Sequence, residues 1–352
     1  MRRGRSMGWR VLVRRFILDR LRVLLYNRRA GGYGEGEIHM NMKEKKARFE
    51  AARPQQENVL LTFTGVDGYD VYNCSIPFTW EGREYIFGRV ERREEWARSW
   101  VRLFEKSGKD TYALVPGSMI YQLEDPFIQM IHGELVLGGT SVEKESGNVK
   151  TYRGYFYRGK KLDDLVYFTT GPDRMKDIRL VELRDGRIGV FSRARGRKNE
   201  EMYGAGAVVG FAVIDDLNQL TAEVVENAPV IGNLFGRDEW GGCNQCYLLN
   251  DGRVGVIGHK CYEEVRAEQG TQLIYMNVSF IFDPETHQAT EPQILATRGN
   301  YPAAAAKKPK LLDCAFTSGI VLRADDKVDL YSGVGDTHEG RVVIDNPFAG
   351  LM

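Results

Sequence analysis

Nowhere in the 352 residues is there an uninterrupted apolar run of about 18, the length a helix needs to cross a bilayer. Charge of one sign is equally scarce. The formal net charge is +1, so no global field draws the chain toward nucleic acid or anionic membranes, and any anion site has to be local. Cysteine is sparse and odd in number: five residues do not make a disulfide framework and point to a reduced, cytoplasmic protein. The Asn-X-Ser matches at Asn73 and Asn277 are then chance. What the chain has in plenty is 39 glycines, 17 tyrosines and 16 phenylalanines, which suits many strands joined by tight turns.

Residues 1–30 stand apart, with ten arginines, one acidic residue and apolar positions such as Val11, Phe16, Leu21 and Leu25 among the charges. This pattern predicts a basic amphipathic helix, of the kind found at membrane surfaces and in transit peptides, or an upstream extension with translation starting near Met40 or Met42. Residues 31–58 read as a linker. The division predicted is therefore an extension and linker over 1–58 and a folded domain over 59–352.

From residue 59 onward one unit recurs five times: a polar residue, a short apolar strand, a tight turn, and a second apolar strand ending in polar groups. The turns fall at Gly82, Gly133, Gly186, Gly252 and Asp326, separated by 51, 53, 66 and 74 residues. Two are Asp-Gly, a strong hairpin signal because glycine accepts the positive φ such turns need. Apolar runs at 100–104, 152–157, 208–214, 274–282 and 342–344 supply third strands. Runs at 165–169 and 220–225 are fourth-strand candidates, and the early run at 59–66 has no hairpin of its own and closes the last sheet. Five such sheets set radially make an all-β, five-bladed β-propeller. Two packed β-sandwiches would not explain the recurring polar residue at each unit start.

First strands line the channel of a propeller, so the unit-start residues Asn73, Asp125, Asp177, Gln245 and Asp313 are expected at one mouth. Ends of second strands add Arg89, Glu91, Thr140, Arg193, His259, Lys260, Asp336 and His338. Carboxylates, amides and cations at one mouth suit a polyhydroxylated ligand plus an anion. Asp177 and Asp313 are the two most readily explained as turn-binding residues. Trp80, Trp96, Trp100 and Trp240 offer faces for sugar stacking, with blade packing the plainer account of each.

These residues resemble glycoside hydrolase family 130, five-bladed propellers that include β-mannoside phosphorylases and related mannosyltransferase-phosphorylases. EDPFI at Glu124 is similar to the family's Glu-Asp-Pro-Arg-Ile element, and the resemblance implies Asp125 as the catalytic acid, acting through a sugar hydroxyl. GRVERREEWARS at Gly88 is similar to an Arg-Val-Glu stretch and implies Arg89 and Glu91 at the sugar. FSRA at Phe191 and GHKCY at Gly258 resemble the segments that place an Arg and a His on phosphate, here Arg193 and His259. YSGVGDTHEG at Tyr331 resembles Tyr-Gly-Ala-Ala-Asp-Thr and implies Asp336. The likeness spans about 290 residues, and Asn73, Asn244 and Gln245 are expected to complete the substrate-binding set with Arg89, Glu91 and Asp336. It departs at Phe127, where the family has Arg, and at Asn244-Gln245, where the family has a phosphate-binding Lys; Lys260 is a nearby cation that could substitute. Glu124 reads best as the partner of an arginine.

The resemblance implies an inverting phosphorylase or transferase that moves mannosyl units between an oligosaccharide and phosphate, with inorganic phosphate as co-substrate and no other cofactor. Inversion with phosphate needs one proton donor and a cationic cradle but no carboxylate to activate water. Two other readings stand beside it: a hydrolase in which Glu91 or Asp336 activates water, and a glycan-binding propeller without catalysis. Cys243, Cys246, His259 and Cys261 can be written as a zinc set, yet Cys246 opens an alternating strand, and no metal is expected. Gly204, Gly206 and Gly210 precede a strand instead of opening a helix, so they read as a bend and not a dinucleotide loop. The lysines of AAAAKKPK at 303–310 are expected to face water. No nucleic acid partner is expected, and membrane contact only through residues 1–30.

Overall fold

The structure is a computed structural model that describes residues 41–52 and 56–352. The basic stretch at 1–30 lies outside the described residues. By its contacts the chain divides after Lys45, and the unit Lys46–Met352 is the propeller. Within the segment read as linker, Met42–Ala52 is a helix. Its start is a capping box: Asn41 Oδ1 accepts the Glu44 N–H and Glu44 Oε2 accepts the Asn41 N–H, both at 3.0 Å. Lys46, on that helix, pairs with Glu50 and with Asp313.

Five sheets follow. The first blade is built on Asp70–Tyr72, Phe78–Trp80, Arg83–Glu91, Trp100–Gly108 and Thr111–Leu114, and the second on Glu124–Ile131, Glu134–Glu145, Asn148–Gly159 and Val166–Thr170. The fourth runs through Glu239–Leu248, Val254–Arg266, Gly270–Asp283 and two short edge strands. The fifth comprises Ala315–Leu322, Lys327–Val334 and His338–Asp345, completed by Asn58–Leu60 from the start of the domain. The early run thus closes the ring as expected, then continues as Thr62–Thr64, which pairs in parallel with the outer edge of the first blade.

The third blade has three strands, Arg179–Glu182, Ile188–Arg195 and Ala207–Ile214. The run at 220–225, expected as its fourth strand, is instead the helix Ala222–Glu226. Thr221 Oγ1 caps it by accepting the Val224 N–H at 3.3 Å, and Val225 is buried beneath it. A Thr cap before Ala-Glu-Val outweighed the β-propensity of two valines. Gly204 ends the short helix Arg197–Tyr203 in the left-handed conformation, so the glycines there terminate a helix and lead into a strand.

Hairpin turns follow the sequence pattern. Glu81-Gly82 and His132-Gly133 both have positive φ at each residue, the signature of a type I′ turn. In Asp185-Gly186-Arg187 and Asp251-Gly252-Arg253 the Asp carboxylate accepts both the Arg backbone N–H and its Nε. Alternate residues of each strand go to opposite blade faces, and among the described residues an apolar cluster fills each seam between neighbouring blades. Phe191, Phe211 and Phe282, with ring centroids 4.6–5.5 Å apart, show how the third and fourth blades lock together.

Candidate active site

Asn73, Asp125 and Asp177 stand at matching places in the first three blades, and all three have φ between 47° and 57°. Asp336 has φ 57° at the end of a second strand. Asn and Asp tolerate this left-handed region better than other side chains, which is why the polar unit-start residue recurs. In the fourth blade a bulge between Cys243 and Gln245 takes that place, and in the fifth a bulge between Thr317 and Gly319.

These kinks turn side chains into a cavity of ≈ 290 Å³, lined by Asn73, Arg89, Asp125, Arg193, His259 and Asp336, with Glu124, Thr140 and Lys176 beside them. Arg89 organises the acidic side. Its Nη1 donates to Asp125 Oδ1 at 2.9 Å, Nη2 to Glu124 Oε1 at 3.1 Å, and Nε to Ser99 Oγ at 2.7 Å. Asn73 Nδ2 donates to the same Asp125 oxygen at 2.9 Å and to Asp336 Oδ1 at 3.4 Å. Asp125 Oδ2 lies 3.6 Å from Lys176 Nζ.

Burial pushes the Asp125 carboxyl up, but Arg89 and Lys176 outweigh it and hold the group below the usual carboxylate range. Glu124 goes the other way, raised by burial and by Asp125, so the two carboxyls titrate jointly. Asp336 is raised by burial and, again, by Asp125. Of the three carboxyls, Asp125 alone is held below its ordinary range.

Across the cavity is a cationic side. Arg193, 2 % exposed, donates from Nε to the Gly241 carbonyl and from Nη1 to Asp177, whose carboxyl is held low against burial by Arg193 and Lys176. A Cβ at Gly242 would stand 2.8 Å from Arg193 Cδ, so the glycine pair is what lets this arginine lie against the fourth blade. His259 shares a 2.6 Å hydrogen bond between its Nδ1 and Asn244 Oδ1 and packs against Phe316 and Tyr275. Burial and then Arg193 keep it well below the ordinary histidine range, hence neutral, and its Nε2 has no hydrogen-bond partner among the described residues.

Several expected residues lie elsewhere. Lys260 follows His259 on a strand, so it projects to the opposite face, where it pairs with Glu239 at 2.9 Å and lies over Phe235. The bulge reverses the alternation at Asn244, so Asn244 sits behind the cavity while Gln245 turns away and donates to the Ile128 carbonyl and to Gln129. Glu91 does not line the cavity: fully buried, it accepts from Tyr72 Oη at 2.5 Å, the Arg98 N–H at 2.7 Å, and Lys307 Nζ. Asp313 pairs with Arg266 at 2.7 Å and is away from the mouth. His338 bonds its neighbour Thr337.

The lysines of 303–310 do not simply face water. Lys307 is buried on Glu91, Lys308 lies 4.3 Å over the Trp96 ring, and Lys310 lines the cavity. Lys176, Arg195 and Tyr152 are further cavity residues that no motif signalled, although Lys176 opens the third repeat. Phe127, where an arginine was expected, carries the Arg179 guanidinium 4.6 Å over its ring, so an arginine from the next blade occupies that neighbourhood. Among the described residues no group of His, Cys, Asp and Glu is arranged to hold a metal ion, and the five cysteines are free and buried.

Residues 47–350 match a family described as "Protein of unknown function (DUF1861)". No curated protein matches the chain. Among solved structures, the chain is similar to MPT-4, a mannose phosphorylase from Leishmania mexicana in complex with phosphate ion. Identity there is 49% over 90% of this chain and 98% of that one, with a TM-score of 0.83. MPT-1, a GDP-Man-dependent mannosyltransferase from the same organism, is also 49% identical, over 88% and 96% of the two chains, at a TM-score of 0.82. A β-1,2-mannobiose phosphorylase from Listeria innocua, 14% identical over 79% and 91%, shares the fold at a TM-score of 0.55. The chain belongs to the DUF1861 family, and its fold is the five-bladed propeller that its likeness to glycoside hydrolase family 130 implied.

Proposed function

We propose that this protein is an inverting β-mannoside phosphorylase and mannosyltransferase, moving mannosyl units between an oligosaccharide and phosphate. The observation that carries the reading is the division of one cavity into an acidic side centred on Asp125 and a cationic side of Lys176 and Arg193, with the neutral His259 beside them. The 49% identity to a mannose phosphorylase crystallised with phosphate supports it.

In phosphorolysis the bond from the anomeric carbon to the leaving oxygen breaks, and a phosphate oxygen bonds that carbon from the opposite face. The leaving oxygen takes its proton from Asp125 in its acid form, directly or by way of a sugar hydroxyl, and Asp125 is left as the carboxylate that Arg89 and Lys176 stabilise. Asn73 and Arg89 fix one Asp125 oxygen, which leaves Oδ2 as the edge that deals with the proton. The cations hold the nucleophile, and guanidinium and ammonium donors match its oxygens. Asn244 Oδ1 accepts from the His259 Nδ1–H, so the neutral ring presents an unprotonated Nε2, which can accept a hydrogen bond from a protonated phosphate oxygen, and Asn244 is what sets that tautomer.

Hydrolysis finds less support. An inverting hydrolase needs an ionised base on the face opposite the acid. Glu91 is consumed by Lys307 and Tyr72, and Asp336 is pushed toward neutrality and shares the Asn73 amide nitrogen with Asp125, on the same side. The five free, buried cysteines support a cytoplasmic setting, and no described helix is long and apolar enough to cross a membrane.

The test is to incubate the protein with β-linked manno-oligosaccharides with and without inorganic phosphate. Mannose 1-phosphate should form only in its presence. Free mannose released at the same rate without phosphate would transfer the assignment to hydrolysis.

A further inference from the structure

We propose that the groove between the first and second blades binds the part of the sugar chain that extends away from the reacting residue, so that the enzyme prefers long oligosaccharides to short ones. The proposal rests on the reading of the Asp125 cavity as a glycoside site.

The two spaces are continuous. Ala97, Glu124, Thr140 and Val142 line both, so whatever leaves the reaction cavity over Thr140 and Val142 enters the groove. Their sizes differ in a useful way. The cavity, at ≈ 290 Å³, is at the small end for ligand sites and suits a reacting sugar and an anion, whereas the groove measures ≈ 840 Å³.

Its lining suits a sugar chain better than a polyanion or an apolar peptide. Trp100 keeps 38 % of its surface exposed, and Tyr155 and Tyr157 add half-buried rings, so flat faces are available for the C–H faces of pyranoses. Between them stand Gln122, Ser141 and Glu143, with Lys144 and Lys150 nearby: both signs of charge are present and neither dominates. Glu95 adds a buried carboxylate oxygen, Oε2, that has no hydrogen-bond partner among the described residues and can accept from a hydroxyl.

The wall separating cavity and groove is held in place. It is the loop at 92–99, in which Ala97 has φ 54°. Lys144 donates to the Trp96 carbonyl from the second blade, and Lys308 caps the Trp96 ring from the fifth-blade side. Trp96 therefore faces the cavity while Glu95, Arg98 and Trp100 face the groove.

Phosphorolysis of β-linked manno-oligosaccharides of two to six units tests this in the full-length protein. The wild type should show kcat/KM rising with length, and in Trp100→Ala the ratio of the six-unit to the two-unit value should fall about fivefold, the scale of one aromatic stacking contact. A lesion of the fold lowers both values and leaves their ratio unchanged. A wild-type kcat/KM that does not change with length, or an unchanged ratio in Trp100→Ala, overturns the proposal. If no oligosaccharide of any length yields mannose 1-phosphate, the reading of the cavity falls and the groove is judged by binding alone. A saturable tryptophan fluorescence change with the six-unit chain, present in wild type and absent in Trp100→Ala, then sustains it, and no saturable change in wild type overturns it.

Discussion

Asp125 keeps its position through hydrogen bonds that an amide can also accept, from Asn73 and Arg89 on one oxygen. Asp125→Asn should therefore fold normally and lose about 10³-fold in kcat, the usual contribution of a positioned acid; a kcat within tenfold of wild type contradicts the role. Lys176, 3.6 Å from the other oxygen and facing the cavity, belongs to the anion in this account. Lys176→Met should raise KM for phosphate about tenfold and KM for oligosaccharide far less; equal changes in both would make it a general structural cation. Glu339 gives a prediction independent of catalysis. Fully buried, it accepts the Cys74 N–H and the Ser318 hydroxyl, and burial raises its carboxyl to about 7. With the folded value above the unfolded one, the unfolded chain releases this proton first as pH rises. The stability held by the protonated group is intact below pH 4.5 and lost as pH climbs through 7. Glu339→Gln escapes that loss, so its stability relative to wild type should grow by on the order of 2 kcal/mol between pH 5 and 8 in denaturant unfolding. A constant difference would show that Glu339 is ionised throughout. At this scale the sequence shows residue types well and directions poorly. His259 and Lys260 are equally polar neighbours, and only strand alternation decides which one meets the cavity. For Asn244 and Gln245 a single bulge reverses that alternation, and nothing in the local string announces it.

At the scale of elements, the segment at 303–310 ties the fifth blade to the first. Lys307 and Glu91 are both fully buried, and Glu91 also lies 3.5 Å from Arg89, so this ion pair stands directly behind the arginine that orders the acidic side. Removing Lys307 leaves the buried Glu91 with only the longer 3.5 Å contact to Arg89 as its cationic partner. Lys307→Met should cost about 3 kcal/mol, read as a lower denaturant midpoint at unchanged m-value, and Lys307→Met combined with Glu91→Leu should recover most of it. If the double variant is no better than the single, the ion pair is not what holds the segment. This element was illegible beforehand for a physical reason: an Ala-rich, Lys-rich string has no periodicity, and its partners lie more than 200 residues away. The five hairpins were legible because turn, strand and polar start recur together. The helix Ala222–Glu226 shows the limit of that rule, since a repeat leads one to expect a strand wherever valines fall in the fourth position.

Across the whole molecule, the fold places five kinked strand starts around one axis, and chemistry depends on which side chain each blade contributes there. The first two blades supply Asn73, Arg89 and Asp125; the third and fourth supply Lys176, Arg193 and His259. That opposition of a proton-handling side and an anion-holding side predicts the stereochemistry. If the anion attacks from the face opposite the leaving oxygen, a β-mannoside must yield the α-anomer of mannose 1-phosphate. The most direct measurement is proton NMR of the reaction mixture in phosphate buffer during the first turnovers, following the anomeric signal. The account predicts α-mannose 1-phosphate as the first product, formed at the expense of inorganic phosphate. Appearance of the β-phosphate, or of free mannose with phosphate unconsumed, would contradict it.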